Sequence, residues 1–376
     1  MPVDHDRVRL YSRIRSAHLE RAAELPSATI LYGEKRYDFQ NSLTAGLDLV
    51  HTRGLGAAWF LLRHQVGVLE VNEPLMLAAA RSTALALAGL SVRRLAGRPR
   101  TRVVSYAIEN LDVHALPSPL TVRGRLGRRL DLTLSRLVWR RLDRIAYGTT
   151  SARDLYAEVL PAAPRLDSTT IPALPAPAED ANTTAERPLD VLFLGAFVPR
   201  KGLPQVLRSW PHVVRELPQA RLRVVGKGRL QPEVEEAARS QDSVAALVDP
   251  RREVIRDLLR SSRVLVLPSQ PQPGWHEQVG LPIVEGLSYG CTVVTTTETG
   301  LGGWLAEHGH QVVDPAATEE RLAEAVLTAL RHPLDPTEVL ASLPDQDGRL
   351  AADAWLFRGP AGQPGSSRDQ TIGSHA

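Results

Sequence analysis

One pattern restricts this chain more than any other, and it occurs twice. Short runs rich in Val, Ile and Leu alternate with longer stretches whose apolar residues recur at helical spacing. In the first half the strand candidates are Thr29–Tyr32, Gly67–Val71, Arg102–Ala107 and Arg144–Gly148. Helix candidates lie between them at Ala57–His64, Pro74–Leu90 and Gly127–Leu142, the last with Leu130, Leu134, Leu137, Val138 and Leu142 along one side. The second half repeats the alternation. Its strand candidates are Leu189–Leu194, Ala220–Val225, Ala246–Val248, Arg263–Leu267 and Thr292–Thr295. Its helix candidates are Leu203–Leu217, Glu233–Arg239, Arg252–Leu259 and Pro282–Tyr289. Strand and helix taken in turn predict an α/β fold with parallel sheets covered on both faces.

The 376 residues suffice for two domains, each with its own core. The boundary is expected in LPAPAEDANTTAERP, Leu174–Pro188, which is rich in Pro, Ala and polar residues. This divides the chain into an N-terminal domain over 1–175, a linker over 176–188, a C-terminal domain over 189–335 and a tail over 336–376. In the tail Leu350–Phe357 reads as one further helix, and the polar run that follows reads as disordered.

Hydrophobic residues make up 43% and charged residues 23%, ordinary for a globular protein. The lone cysteine, Cys291, excludes an internal disulfide framework. MPVDHDRVRLYSRIRS lacks the apolar centre of a signal peptide, so a cytoplasmic location is expected. Leu75–Val92 is Ala-rich and interrupted by Arg81, which predicts a packed helix and not a membrane span.

The formal net charge is only +3, but arginines cluster. One group is Arg93, Arg94, Arg98, Arg100 and Arg102; the other runs from Arg123 to Arg144 and includes Arg125, Arg128, Arg129, Arg136, Arg140 and Arg141. These read either as a solvated face with a few ion pairs, or as a surface for peripheral contact with anionic lipid or a phosphorylated acceptor. Aromatics are not interleaved with them, which argues against nucleic acid.

Ligands of open parallel sheets sit at the carboxyl ends of the strands. Gly195, Gly226, Ser269 and the loop before Pro282 all fall at such ends. That loop opens HEQVGLPIVEGLSYG, His276–Gly290, with Glu277 and Glu285 eight positions apart. A helix starting near Pro282 leaves Glu277 in the preceding loop and Glu285 early in the helix. The amides of Gly280 and Leu281 then face an anion at the positive end of the helix. A second element, GAFVPRKG at Gly195–Gly202, puts Arg200 and Lys201 just past a buried strand, where a cation can neutralise a leaving diphosphate.

Glu277 and Glu285 match the E-x7-E motif of retaining GT-B glycosyltransferases of family 4, and Leu189–Arg331 resembles that family. The resemblance implies two Rossmann-like domains facing a central cleft and a nucleotide-diphosphate sugar as donor. It also implies a hydroxyl acceptor on a glycan, a lipid-linked sugar or a small molecule. Transfer would retain the anomeric configuration and need neither metal nor cofactor. By the same resemblance Glu277 contacts the donor sugar near its reacting centre, Glu285 binds the ribose, and Lys201 binds phosphate. Ser269 in the Leu267–Ser269 triplet lines the donor pocket, VVGKG around Gly226 is a turn near the nucleotide, and Thr299 and Gly300 with Leu301 lie near the phosphates. One position departs from the family: Ala196 stands where a second cation, an Arg, is usual, and either Arg200 at the neighbouring position or a group of the acceptor domain would supply that charge.

The first half resembles the family less. Its first strand candidate is followed by LYGEKRYD with the single Gly33 in place of a paired-Gly loop, and RVVSYAIEN ends without the usual His. The polar residues nearest that end are Glu109 and Asn110, with His114 beyond; Glu73 closes another strand. These four are the acceptor-side candidates. No P-loop run exists, Gln231 breaks a dinucleotide fingerprint, and His276–Glu277 lacks the second His of a zinc helix. The D-x-D triplets Asp4–Asp6 and Asp345–Asp347 lie near the chain ends, away from any expected strand terminus, which argues against a metal-binding role in the donor site. Two other readings remain: a GT-B sugar-nucleotide epimerase, and a non-catalytic paralogue that binds nucleotide sugar.

Overall fold

The computed structural model describes residues 4–36, 39–52, 55–114, 116, 121–181 and 186–359. Two sheets organise them. The first holds β1 (Asp4–Ile14), β2 (Thr29–Lys35), β3 (Asp48–His51), β4 (Gln65–Glu70), β5 (Arg102–Ala107), β6 (Arg144–Tyr147) and β7 (Asp167–Thr170), in the order β3-β2-β1-β4-β5-β6-β7. The second holds β8 (Asp190–Leu194), β9 (Arg221–Gly226), β10 (Val244–Val248), β11 (Val264–Leu267), β12 (Thr292–Thr296) and β13 (Gln311–Val313), in the order β10-β9-β8-β11-β12-β13. Every strand pair is parallel.

Strands covered on both faces need no polar alternation, and β8 and β11 are buried along their whole length. Helices make the returns: α1 (Ser16–Glu24), α2 (Gly56–Arg63), α3 (Leu77–Leu95), α4 (Val122–Arg141) and α5 (Thr150–Val159) serve the first sheet. The second has α6 (Leu203–Glu216), α7 (Gln231–Ser240), α8 (Arg252–Ser261), α9 (Leu281–Ser288), α10 (Gly302–Glu307) and α11 (Glu319–Arg331). In α6, Leu203, Val206, Trp210 and Val213 repeat at helical spacing and are buried against this second sheet's core. The chain then runs through α12 (Pro336–Ala341) and α13 (Gly348–Phe357).

Each sheet turns direction at its first strand. The order steps one way from β1 through β2 to β3 and the other way from β4, and likewise around β8 and β11. Such a switch point opens a crevice at the strand carboxyl ends, so each half has one.

The structure corrects the reading of the N-terminus. Thr29–Tyr32 is not the opening strand; β1 precedes it and lies inside the first sheet, between β2 and β4. Gly33 therefore belongs to a neighbouring strand and not to the loop after the first one. The segment VRLYSRI hides its role because Val8, Leu10 and Ile14 alternate with charged and polar residues, as in a half-exposed strand. Its other face is covered by α13. Arg9, 1% exposed, donates to Glu70 at 3.2 Å and to Asp353 at 2.7 Å. Arg349 also pairs with Glu70, Arg7 reaches Asp353 at 3.4 Å, and Arg21 binds Asp347, the cap of α13, at 2.7 Å. Two arginines of the basic clusters join in: Arg102 donates to the Phe357 carbonyl and Arg144 to that of Trp355. The Leu350–Phe357 helix is thus tied to the N-terminal sheet. The polar run beyond 359 and residues 182–185 of the expected linker lie outside the described residues.

Removing one member of a buried ion pair leaves the other uncompensated, which typically costs about 3–5 kcal/mol. Asp353→Ala should therefore lower unfolding stability by about that much in a denaturant titration. A loss below about 1 kcal/mol would mean that α13 is held mainly by its apolar contacts.

Candidate functional site

The site begins where β8 ends. The chain leaves the sheet at Gly195, whose N–H donates to the Val225 carbonyl at 3.0 Å, so the ends of β8 and β9 at Gly195 and Gly226 stay together. A single 3-10 turn, Pro199–Lys201, follows and passes into α6 through Gly202. Gly202 has φ 74°, and a Cβ there would lie 1.9 Å from the Pro268 carbonyl oxygen. Only glycine allows the turn to approach the end of β11 so closely. The Gln270 N–H donates to the Arg200 carbonyl at 2.9 Å and closes the same contact. Arg200 and Lys201 are thereby fixed at the switch point of the second sheet.

Ser269, just past β11, is fully buried, and its hydroxyl donates to Glu277 Oε2 at 3.1 Å. Lys201 Nζ donates to the same oxygen. The Lys201 and Glu277 side chains are 13% and 10% exposed, so the ion pair sits at the edge of the protein interior. The main chain of Glu277 is fixed too: Glu277 bridges Thr299 in parallel fashion, and its carbonyl accepts the Gly300 N–H at 3.0 Å. The Thr299 hydroxyl donates to the Val279 carbonyl at 3.0 Å. Lys201, Ser269, Glu277, Thr299 and Gly300, separate in sequence, are brought together.

Gly280, with φ 79°, turns the chain into α9, one residue earlier than the sequence reading placed it. Leu281 is the first helical residue and is exposed. Glu285 lies one turn on, along the same side of the helix as Leu281, and pairs with Arg252 of α8 at 3.0 Å. Glu285 is therefore held by a different cation from the one that holds Glu277.

Several partners were not visible in the sequence. Trp275 lies under Arg200, with the guanidinium 4.4 Å from the ring centroid and Lys201 Nζ at 5.5 Å. Arg252 was read only as a helix start. Gln278 reaches the other domain: its amide donates to Glu109 Oε2 at 3.1 Å. Asn110 Nδ2 donates to the Glu277 carbonyl at 3.1 Å, and Ser151 Oγ donates to that of Gly300 at 3.4 Å. The loop after β5 thus meets the Glu277 segment directly. No periodic pattern marks such contacts, because they join polar loops more than a hundred residues apart.

Of the four candidates from the first half, Glu109 and Asn110 lie at this contact. His114 is exposed, and its N–H bonds Asp112. Glu73 is buried beneath the loop, where Oε2 accepts the N–H groups of Ile108 and Glu109 at 3.0 and 2.9 Å and the Tyr156 hydroxyl at 3.2 Å. Burial outweighs these donors and, with the charge of Glu109, pushes the Glu73 carboxyl up to about 8. Burial raises Glu109 as well. Among the described residues no group of three or more His, Cys, Asp or Glu is arranged to hold a metal ion.

Between the ordinary carboxyl value of 4.5 and about 8, the folded protein keeps the Glu73 proton that the unfolded chain loses. Stability should then fall as pH rises through that window, by up to about 1.4 kcal/mol per unit. Glu73→Gln, neutral in both states, should remove this slope. Denaturant titrations at pH 5 and pH 8 check it, and equal slopes in the two proteins would contradict it.

Known proteins resemble this chain over part of its sequence and in its fold. Residues 188–332 match the model of the family described as Glycosyl transferases group 1. No curated protein matches the chain significantly. Among solved structures, Alr3699/HepE of Anabaena in complex with UDP is similar, with TM-score 0.62 and 12% identity, over 93% of this chain and 95% of that one. WaaG, a glycosyltransferase involved in lipopolysaccharide biosynthesis, has TM-score 0.58 and 15% identity over 94% and 100%. An α,α-trehalose-phosphate synthase (UDP-forming) from Burkholderia vietnamiensis has TM-score 0.61 and 12% identity over 93% and 99%. The fold of this chain is GT-B, and the region that holds its second sheet is the part that matches the group 1 glycosyltransferase model.

Proposed function

We propose that this protein is a retaining glycosyltransferase that moves a sugar from a nucleotide-diphosphate sugar to a hydroxyl acceptor. The observation that carries the reading is the convergence of Lys201, Ser269 and Glu277 at the switch point of the second sheet, beside the amino end of α9. An anion is favoured there by the helix dipole and the free Leu281 amide. Two of the similar structures, Alr3699/HepE with UDP and with UDP-glucose, make a uridine donor the first to test.

In this reading the diphosphate lies against the start of α9 and takes Lys201 as its counter-ion, which releases Glu277 to the sugar. Glu285, one turn along, accepts from the ribose hydroxyls. As the bond to the anomeric carbon breaks, negative charge grows on the leaving phosphate. Lys201 and the helix amide stabilise it without a metal. Arg200, held over the Trp275 ring, supplies the second cation at a site where Ala196 offers none. The acceptor hydroxyl approaches from the side of Glu109 and Asn110, attacks the face from which the diphosphate departs, and passes its proton to the departing phosphate. Configuration is then retained. Closing the two domains excludes water and so protects the donor from hydrolysis.

Glu277→Gln should lower transfer by roughly a hundredfold or more while UDP still binds. The measurement is sugar transfer from UDP-glucose and other UDP-sugars to a panel of hydroxyl acceptors, with UDP release followed in parallel. Near-normal turnover in the variant would take Glu277 out of the mechanism. An altered, free sugar nucleotide formed without any acceptor would move the protein to the epimerase reading. Binding with no turnover on any donor would make it a non-catalytic paralogue.

A further inference from the structure

The exposed apolar side chains of this protein are gathered in one place. Eleven large hydrophobic residues are exposed among the described residues, and nine lie on or at the start of α2, α3 and α4. A right-handed crossover rule puts these three helices on one face of the first sheet, because β3 to β4, β4 to β5 and β5 to β6 all step the same way. Contacts confirm the layer. Gly89 of α3 abuts the main chain of Ala58 in α2, and Arg81 of α3 binds Asp131 of α4 at 2.6 Å. The inner sides of the three helices fill a single core with the sheet.

Their outer sides are unusual. On α3 the exposed apolar positions Ala78, Leu85, Ala88, Val92 and Leu95 form one helical stripe, which Arg81 interrupts and beside which Ser91 and Arg94 are exposed. Leu95 is 88% exposed. On α4 the stripe is Val122, Leu126, Leu130 and Leu137, and on α2 it is Leu55 and Trp59. Exposed arginines stand beside these residues: Arg63, Arg94, Arg123, Arg125, Arg129 and Arg136. The three helices carry one acidic residue, Asp131, and Arg81 neutralises it.

We propose that the α2–α3–α4 face is a docking surface for an anionic lipid bilayer. An apolar stripe flanked by arginines suits the interface between headgroups and acyl chains: the aliphatic side chains enter the acyl region while guanidinium groups stay at phosphate level. Contiguous exposed apolar surface of this kind marks an interaction site. The charge selects the partner. A second copy docked on the same face about a two-fold axis would set arginine against arginine, whereas acidic headgroups complement them. Attachment is peripheral, since no described helix is long and apolar enough to cross a membrane. The face belongs to the first sheet, and none of its exposed leucines or arginines is among the residues that hold Lys201 and Glu277.

The test is co-sedimentation of the full chain with vesicles of phosphatidylcholine alone or mixed with phosphatidylglycerol. The protein should pellet with the mixed vesicles, at least tenfold more weakly with phosphatidylcholine alone, and less as salt rises. Leu126→Glu with Leu130→Glu should weaken pelleting more than tenfold. Arg123→Ala with Arg129→Ala and Arg136→Ala should abolish the preference for the acidic lipid. Both variants change exposed positions, and an unaltered melting temperature would show that each is folded. Failure to pellet with acidic vesicles would overturn the proposal, as would pelleting that neither variant reduces. A dimer in light scattering that the leucine variant turns into a monomer would assign the face to self-association instead.

Discussion

Parallel pairing governs this architecture. A parallel strand cannot be followed by a tight hairpin, so every return passes over a face of the sheet, and all strand carboxyl ends fall along one edge. With thirteen parallel strands among the described residues in two sheets, the chain gains two such edges. At each, the reversal of strand order leaves an opening between neighbouring returns. The loops after β8 and β11 meet the segment around Glu277 on the second edge, and the loop after β5 comes to them from the first. The position of the site follows from pairing geometry before any side chain is considered. Chemistry is then added by short polar segments that the sheets hold in place.

The second half was readable because its strands are built around short apolar runs, such as Val264–Leu267, with Gly or Pro close by. Gly195, Gly226, Ser269 and Thr299 of its candidate site lie close to strand ends, whereas Glu277 and Glu285 were marked by their spacing around the start of α9. The first half was harder for a specific physical reason. The interior strand β1 alternates apolar and charged residues, and Arg9 is neutralised by Asp353, 344 positions away. Local pattern cannot reveal a buried charge whose partner arrives from the far end of the chain. The same holds for Arg102 and Arg144, which the sequence groups with surface arginines but which bind the main chain of α13. Trp275, Gln278 and Arg252 went unread for a related reason. Their parts depend on contacts across the site and not on periodicity.

The contacts of Glu109 and Asn110 with the Glu277 segment give the two halves a shared element. Glu73 supports it from below through the amides of Ile108 and Glu109. A carboxyl buried there is a local cost, and the hydrogen bonds it accepts define the path of the loop. The outer helices of the first sheet face the opposite requirement. Their inner sides complete a core, while their outer sides keep leucines and arginines that no part of the described chain covers. The structure thus separates a polar, hydrogen-bonded contact at the strand ends from an exposed apolar face on the helix layer.

The account stands on a diphosphate lying at the start of α9 with Lys201 as its counter-ion. A crystal structure of the protein soaked with UDP examines this most directly. Phosphate oxygens within hydrogen-bonding distance of Lys201 Nζ and the Leu281 N–H, with the ribose against Glu285, would bear it out. Nucleotide found elsewhere on the chain, with the Lys201–Glu277 ion pair still intact, would contradict it.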